Sequence, residues 1–342
     1  METKMNITFD QAKQYGFNFP GAREWVTQDN MPRIIQDAAL ITQANSTVPA
    51  EYLAYIDPTV VEIMTAPRNA RELFSEEKRG DWTTPYFKWR ADEIAGNTAP
   101  YSDYGQFGMS NFNSEWHVRE QYRFQTIIQY GDLEQDMSSQ AKVNLAASKQ
   151  RSAATTIDID ANKFYLLGVS GKEIYGVLND PNLPAAVTPI SVGGQTAWSA
   201  KDAIARYNDV IKVFTQLTTQ LNGLVDEKSR LKIAMSPATR TLLAAPTSLG
   251  LTTMKMLEDY FPNAEFVSLP QLGAAYAPAA AETIMIIAPQ VLGNQSGLLG
   301  FGEKIRMGRV IAELSSFKQK VTGTTYGGVI KVPAAVAQMT GI

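Results

Sequence analysis

The chain has 342 residues, a formal net charge of -3 and no cysteine. Its 31 Lys and Arg against 34 Asp and Glu lack the basic excess of a tight nucleic-acid binder, and the missing thiols exclude disulfides and thiol catalysis. A content of 44% hydrophobic and 19% charged residues is that of a globular chain with ample length for a core.

The amino terminus lacks the apolar run of a signal peptide. The strongest apolar run, Ile284–Ala288, is strand-sized and far short of a membrane span. Residues up to about Pro49 are punctuated by Gly16, Pro20, Gly21 and Pro32, with one short helix expected around Ile34 to Ile41. Tyr15, Phe17, Phe19 and Trp25 argue for an arm that contacts something rather than a disordered tail, which would be poor in aromatics.

From Arg79 to Gln129 aromatics crowd together around a glycine-rich middle, Ala95 to Gly108. Thr84 to Arg90 and Trp116 to Ile128 partly alternate, which predicts a long β-hairpin over 79–129. An isolated two-stranded ribbon is marginal in water, so it needs a surface to lie on. That surface is either a partner or the chain's own core. Trp82, Tyr86, Trp89, Tyr101, Tyr104, Phe107 and Trp116, with Trp25 upstream, are the candidate contact anchors, because aromatics dominate interface hot spots.

From Asp132 to Leu167 there is neither glycine nor proline. Asp132, Glu134 and Asp136 suit the positive end of a helix dipole, and Gly168 suits its stop. One helix over 132–167 would run about 50 Å at ~1.5 Å per residue. Met137, Ala141, Leu145 and Ser148 give it only a thin apolar stripe, so it reads as a strut across a sheet with one face in solvent. The alternative is two helices broken near Thr155 and Thr156.

Beyond Gly168-Val-Ser-Gly171 the pattern changes. Ile204, Ile211, Phe214, Leu217 and Leu221 sit at helical spacing over Lys201 to Gly223. Leu231–Met235, Glu265–Leu269 and Thr283–Ala288 read as strands, with helices over Pro237–Ala245 and Thr252–Phe261 between them. This alternation is an α/β unit. No Gly-x-Gly-x-x-Gly follows a strand into a helix, so a dinucleotide fold is disfavoured, and Gly297-Leu-Leu-Gly-Phe-Gly302 carries little weight. The closing region from Glu303 is β-rich, with strands at Ser316–Thr322 and Val329–Val332 and a short apolar tail after Pro333. Its strands are expected to pair with those near residues 60 to 90 and 116 to 128, beneath the strut helix.

Chemistry-bearing constellations are sparse. His117 is the only histidine and lies beside Trp116 in a strand, which points to a structural or surface role. Asp158 and Asp160 stand two apart on a helix and so face different ways, as solvated charges. Asp226-Glu227-Lys228 reads as a turn, and no phosphate loop, zinc spacing or calcium loop is present. The residues therefore predict no catalytic site, no metal and no cofactor.

Three phrases, in their order and spacing, carry a resemblance. They are Tyr55-Ile-Asp-Pro-Thr-Val60 leading to Arg71-Glu-Leu-Phe74, Tyr175-Gly-Val-Leu-Asn-Asp-Pro181 after the strut helix, and Tyr326-Gly-Gly-Val-Ile-Lys-Val-Pro-Ala-Ala-Val336 before Gly341-Ile342. Together with the long helix they resemble major capsid proteins of tailed bacteriophages, of the Hong Kong 97 fold shared with encapsulin shells. The closest likeness is to a capsid family long catalogued as a domain of unknown function.

The resemblance implies an α+β chain with an N-terminal arm over 1–50 and a peripheral domain beginning over 51–185. That domain would include the extended loop (79–129) and the spine helix (132–167). An α/β axial domain follows over 186–305, and closing peripheral strands over 306–342. It implies self-assembly into hexamers and pentamers of an icosahedral head, built in the bacterial cytoplasm around double-stranded DNA that is touched weakly and without sequence preference. A portal and a separate scaffolding protein are the implied partners, with no membrane. Lys88 lies where some relatives place a cross-linking lysine, but no matching asparagine or glutamate phrase is found, so no covalent cross-link is expected. The competing readings are an encapsulin-type nanocompartment shell and an α/β enzyme with an insertion.

Overall fold

The computed structural model describes residues 68–342 apart from 106, 142–143, 248–249 and 277–280. The expected N-terminal arm, with Trp25, and the phrase at Tyr55 lie outside the described residues. The described chain opens with a one-turn helix α1 (Ala70–Leu73) and a short strand β1 (Glu76–Lys78). Two long strands follow, β2 (Tyr86–Gly96) and β3 (Ser110–Glu120), and then β4 (Tyr122–Gly131). The expected single strand from Trp116 to Ile128 is thus two. β3 pairs only with β2, whereas β4 leaves the ribbon to pair with a strand of the closing region.

The expected continuous helix is also two, α2 (Asp132–Gln140) and α3 (Leu145–Leu167). The break falls before Asn144, not near Thr155. Asn144 accepts a hydrogen bond from the Ala147 amide at 3.1 Å, so its side chain starts a new helix where an unbroken one would need none. The expected apolar stripe shifts with it: Met137 is exposed and α2 buries nothing, while α3 buries Ala153, Ile157, Tyr165 and Leu166. Gly168, with φ 68°, ends α3.

The α/β unit contains α4 (Ala203–Gln220), β5 (Leu231–Met235), α5 (Pro237–Leu242), α6 (Thr253–Tyr260), β6 (Ala264–Ser268) and β7 (Thr283–Ile287). Then come a two-stranded hairpin β8 (Gln290–Val291) and β9 (Asn294–Gln295), followed by β10 (Gly297–Phe301), β11 (Arg306–Ala312), β12 (Ser316–Thr325), β13 (Gly327–Ile330) and β14 (Val336–Thr340). Besides the two-stranded β2-β3 and β8-β9 pairs, the described strands form sheets ordered β1-β10-β13, β11-β12-β4 and β14-β7-β5-β6. The tail expected after Pro333 is a strand: β14 lies antiparallel to β7 and so returns to the α/β sheet.

That sheet is buried on both faces, which explains the unbroken apolar run of β7. Ile284 and Ile286 face a cluster with Val210, Val213 and Leu217 of α4, while Met285 and Ile287 face one with Tyr165 and Leu166 of α3. Burying each such side chain contributes ~1.5–3 kcal/mol. On α4, Ile204 faces solvent, contrary to expectation, and the inward face instead carries Arg206 and Asp209. Asp209, wholly buried, accepts from Lys201 Nζ at 2.5 Å, Trp198 Nε1 at 2.9 Å and the Ile190 amide at 2.8 Å. This carboxylate ties two segments, at Ile190 and at Trp198 to Lys201, to one helix, because a buried charge persists only when paired and fully hydrogen-bonded.

The sheet β11-β12-β4 lies under α3, with Ile128 and Val321 packed on Ala153 and Ile157. Asp158 is not simply solvated: Arg68 Nη1 donates to it at 2.7 Å and Arg71 also reaches it, tying the entry of α1 to α3.

The segment Ile174–Leu178 is clamped between the end of α3 and β13. The Val177 and Leu178 amides donate to the Tyr165 and Leu166 carbonyls at 2.9 and 3.0 Å, and the Gly328 amide donates to the Tyr175 carbonyl at 3.1 Å. The backbones approach so closely that a Cβ at Gly176 would lie 2.2 Å from the Leu166 carbonyl carbon, and one at Gly327 2.4 Å from the Tyr175 oxygen. Only glycine fits at either place. Gly176→Ala is therefore expected to cost about 3 kcal/mol or more, the upper end of overpacking, read as a lowered Tm in thermal unfolding. A Tm equal to that of the parent chain would contradict the clamp.

Candidate assembly surface

The β2–β3 ribbon pairs without interruption from Tyr86 opposite Glu120 to Gly96 opposite Ser110. At ~3.4 Å per residue its two strands run about 35 Å. No residue of β2 is buried, and Arg119 is the one buried residue of β3. Because paired residues share a face, the register sorts the side chains into two sets. One face carries Tyr86, Lys88, Arg90, Asp92 and Ile94 opposite Glu120, Val118, Trp116, Ser114 and Phe112. The other carries Phe87, Trp89, Ala91, Glu93 and Ala95 opposite Arg119, His117, Glu115, Asn113 and Asn111.

The second face is covered only at its base. Phe87 and Trp89 pack against Leu298, Tyr326 and Val329, and Trp89 stacks on Phe87 at 5.5 Å and on His117 at 5.3 Å. Arg119 donates to Asp180 Oδ2 at 2.5 Å, both side chains almost fully buried, and its guanidinium lies 4.7 Å from the Tyr175 ring centroid. Asp180 is itself positioned by accepting from the Asn182 amide at 3.0 Å. Asn179 accepts from the Gly176 amide at 2.7 Å and donates to the Leu167 carbonyl at 2.6 Å, so the segment that grips the ribbon is fixed to α3. Gln121 closes the base with its backbone N–H on the Pro85 carbonyl at 2.8 Å.

The first face is uncovered. Trp116 is 63% exposed and Ile94 87%, with Phe112, Val118 and Tyr86 beside them, an apolar face seldom left bare on a monomer. Arg90 lies over the Phe112 ring at 5.9 Å and pairs with Asp92 at 2.6 Å on the same face. Tyr101, Tyr104 and Phe107 at the tip are almost wholly exposed, Tyr104 completely so.

Of the expected anchors, Tyr86, Tyr101, Tyr104, Phe107 and Trp116 are thus free for a partner among the described residues. Trp82 and Trp89 are partly occupied within the chain, Trp82 by the guanidinium groups of Arg123 and Arg306 at 5.6 and 5.5 Å from its ring. Ile94, Phe112 and Val118 escaped sequence reading as anchors. Only the cross-strand register places them beside Trp116, and a loop region with no fixed turn type does not reveal that register.

The candidate chemical groups come to little. His117 is in the Trp89 stack, and Asp226 accepts from Ser229 Oγ at 2.6 Å, which holds its carboxyl below the usual range. Burial and the nearby Glu76 push the Tyr165 phenol far above its ordinary value, where it serves as core. Among the described residues no cluster of three His, Cys, Asp or Glu is placed to hold a metal ion, and no helix is long and apolar enough to cross a membrane.

A family model described as the Pa193 gp26 major capsid protein matches residues 39–341. The chain belongs to that family. It is the major capsid protein of a tailed-phage shell, with a Hong Kong 97-type fold, and its place is the virion capsid. No curated protein matches by sequence. Among solved structures, the capsid of Myoviridae phage XM1 superposes with a TM-score of 0.69 at 11% identity, over 87% of this chain and 100% of that one. The capsid of an empty GTA particle gives 0.60 at 12% identity, over 87% and 99%. Mycobacterium phage Bobi gives 0.57 at 11%, over 84% and 95%. At such identities these likenesses show the shared fold. The encapsulin reading is not favoured, and this capsid protein is a structural subunit that self-assembles.

Arg119→Met leaves Asp180 buried without its partner, a loss of about 3–5 kcal/mol for a buried pair. Hydrogen exchange at 86–90 and 116–120 is expected to quicken together with a lowered Tm. Parental protection at the ribbon base would show that the pair does not hold it.

Proposed function

We propose that the ribbon is the arm by which each capsid subunit overlaps a neighbour within hexamers and pentamers of an icosahedral head. The observation that carries this is the bare apolar face of Ile94, Phe112, Trp116 and Val118 on a ribbon that packs on its own chain only at its base. A ribbon of this kind is marginal alone in water, and a second subunit supplies the missing surface. Trp116, with Tyr86 and the tip aromatics, contributes most of the contact energy, while Trp82 and Trp89 fix the ribbon to its own body.

In this reading the segments 51–185 and 306–342 form the peripheral part and 186–305 the axial part, with β14 crossing back onto the axial sheet. The shell encloses double-stranded DNA through weak contacts that suit a net charge of -3. It is built in the host cytoplasm on a separate scaffolding protein and joined to a portal. The subunit needs no catalysis, cofactor or covalent cross-link. Lys88 instead takes a place on the ribbon's contact face, opposite Val118.

The test is a trimmed chain in which residues 91–115 are replaced by Asn-Gly, a two-residue hairpin turn joining the paired Arg90 and Trp116. It is expected to keep the parental far-ultraviolet circular dichroism and Tm, yet to form no shells under conditions in which the parent chain does, by negative-stain electron microscopy. Shells of parental size and yield would remove the ribbon from assembly.

A further inference from the structure

We infer that the ribbon tip of one subunit seats in a polar cleft on a second copy of this chain, a pairing that rests on the assembly reading above and names its receptor. The tip is a shaped loop. Tyr101 donates from its hydroxyl to Asp103 at 2.6 Å, and the Asn97 amide donates to the Met109 carbonyl at 3.0 Å. A Cβ at Gly108 would lie 2.4 Å from the Asn97 carbonyl, so the two sides of the loop are pressed together. Its hydrogen bonds are made within itself, and it presents Tyr101 and Tyr104 with Asp103 between them. The segment from Asn97 to Met109 holds this one acid and no base. A loop that exposes the rings of Tyr101, Tyr104 and Phe107 and turns none of the three onto its own body is built to be received elsewhere.

The receptor is a cleft of 610 Å³ lined by Phe74, by Arg230 and Lys232 at the start of β5, by Asn263 before β6, and by Gln290 and Gln295 on the β8–β9 hairpin. Its size lies in the ~300–1,000 Å³ range of pockets that enclose a bulky organic group. Its chemistry complements the tip. Arg230 is exposed and without a partner among the described residues, while the amides offer donors and acceptors to phenol hydroxyls. Lys232 is already engaged with the Glu72 carbonyl and lies 3.7 Å from Glu265, an acid that also lines the cleft and balances it, which leaves Arg230 as the free cation for Asp103. Each copy carries one tip and one cleft. A contact between unlike surfaces of identical chains runs head to tail, and such contacts form rings when the rotation between neighbours closes. That is the geometry capsomers require.

The chain has no cysteine, so placed thiols are read without background. Assembled shells of the Ser102→Cys/Gln290→Cys chain, treated with a short bismaleimide, are expected to give a ladder of covalent multimers on a denaturing gel, and neither single variant should give one. Arg230→Glu is expected to lower shell yield at least tenfold, and adding Asp103→Arg to restore it. Shells that give no ladder, with no rescue by the charge swap, would overturn the pairing while leaving ribbon-mediated assembly intact. A parent chain that never forms shells would instead overturn the assembly reading and this pairing with it. Failure of the Gln290→Cys thiol to react in the unassembled subunit would show the cleft filled by the chain itself and would likewise overturn the pairing.

Discussion

The close approach of three backbones at Ile174–Leu178 is the constraint on which the rest of the structure depends. Here the end of α3, the loop after it and β13 come within hydrogen-bond distance of one another, and glycine at 176 and 327 is what allows it. The contact joins the helix that crosses the β11-β12-β4 sheet to the strand that runs beside β10. It also carries Asn179 and Asp180 to the base of the ribbon, where Asp180 meets Arg119. One clamp thus sets both the position of the spine helix and the direction in which the ribbon leaves the body.

The ribbon's two faces follow from that base. Where the clamp and the cluster of Leu298, Tyr326 and Val329 reach it, its apolar residues point inward and are covered. Farther out the same face turns acidic and amide-bearing, with Glu93, Glu115, Asn111 and Asn113, and the apolar residues switch to the opposite side. A monomer gains nothing from this exchange. In a shell it makes sense, because a rigid base with an uncovered apolar face presents contact surface without refolding, and binding then loses little conformational entropy.

Much of this was legible in the residues. Periodicity located α4, β5, β6 and β7, and the crowding of aromatics around a glycine-rich middle located the ribbon. The phrases around Tyr175 and Tyr326 pointed to the family. What periodicity could not say is that these two phrases touch, since they are far apart in sequence and meet only through the clamp. The break before Asn144 was missed because a run without glycine or proline reads as continuous, although asparagine is a good helix-capping residue. The inward turn of Asp209 in place of Ile204 was hidden because a charge at a core position reads as surface until its partners, Lys201, Trp198 and the Ile190 amide, are seen together. Ile94, Phe112 and Val118 were missed for want of a register.

The most direct test of the account is a cryo-electron microscopy reconstruction of the assembled shell, at a resolution that places side chains along the ribbon. The account predicts that Ile94, Phe112 and Trp116 are covered by a second subunit, while the Arg119–Asp180 pair and the glycine clamp remain as they are in the single chain. A shell in which that face stays open to solvent, or in which the ribbon has left the clamp to fold along its own body, would contradict it.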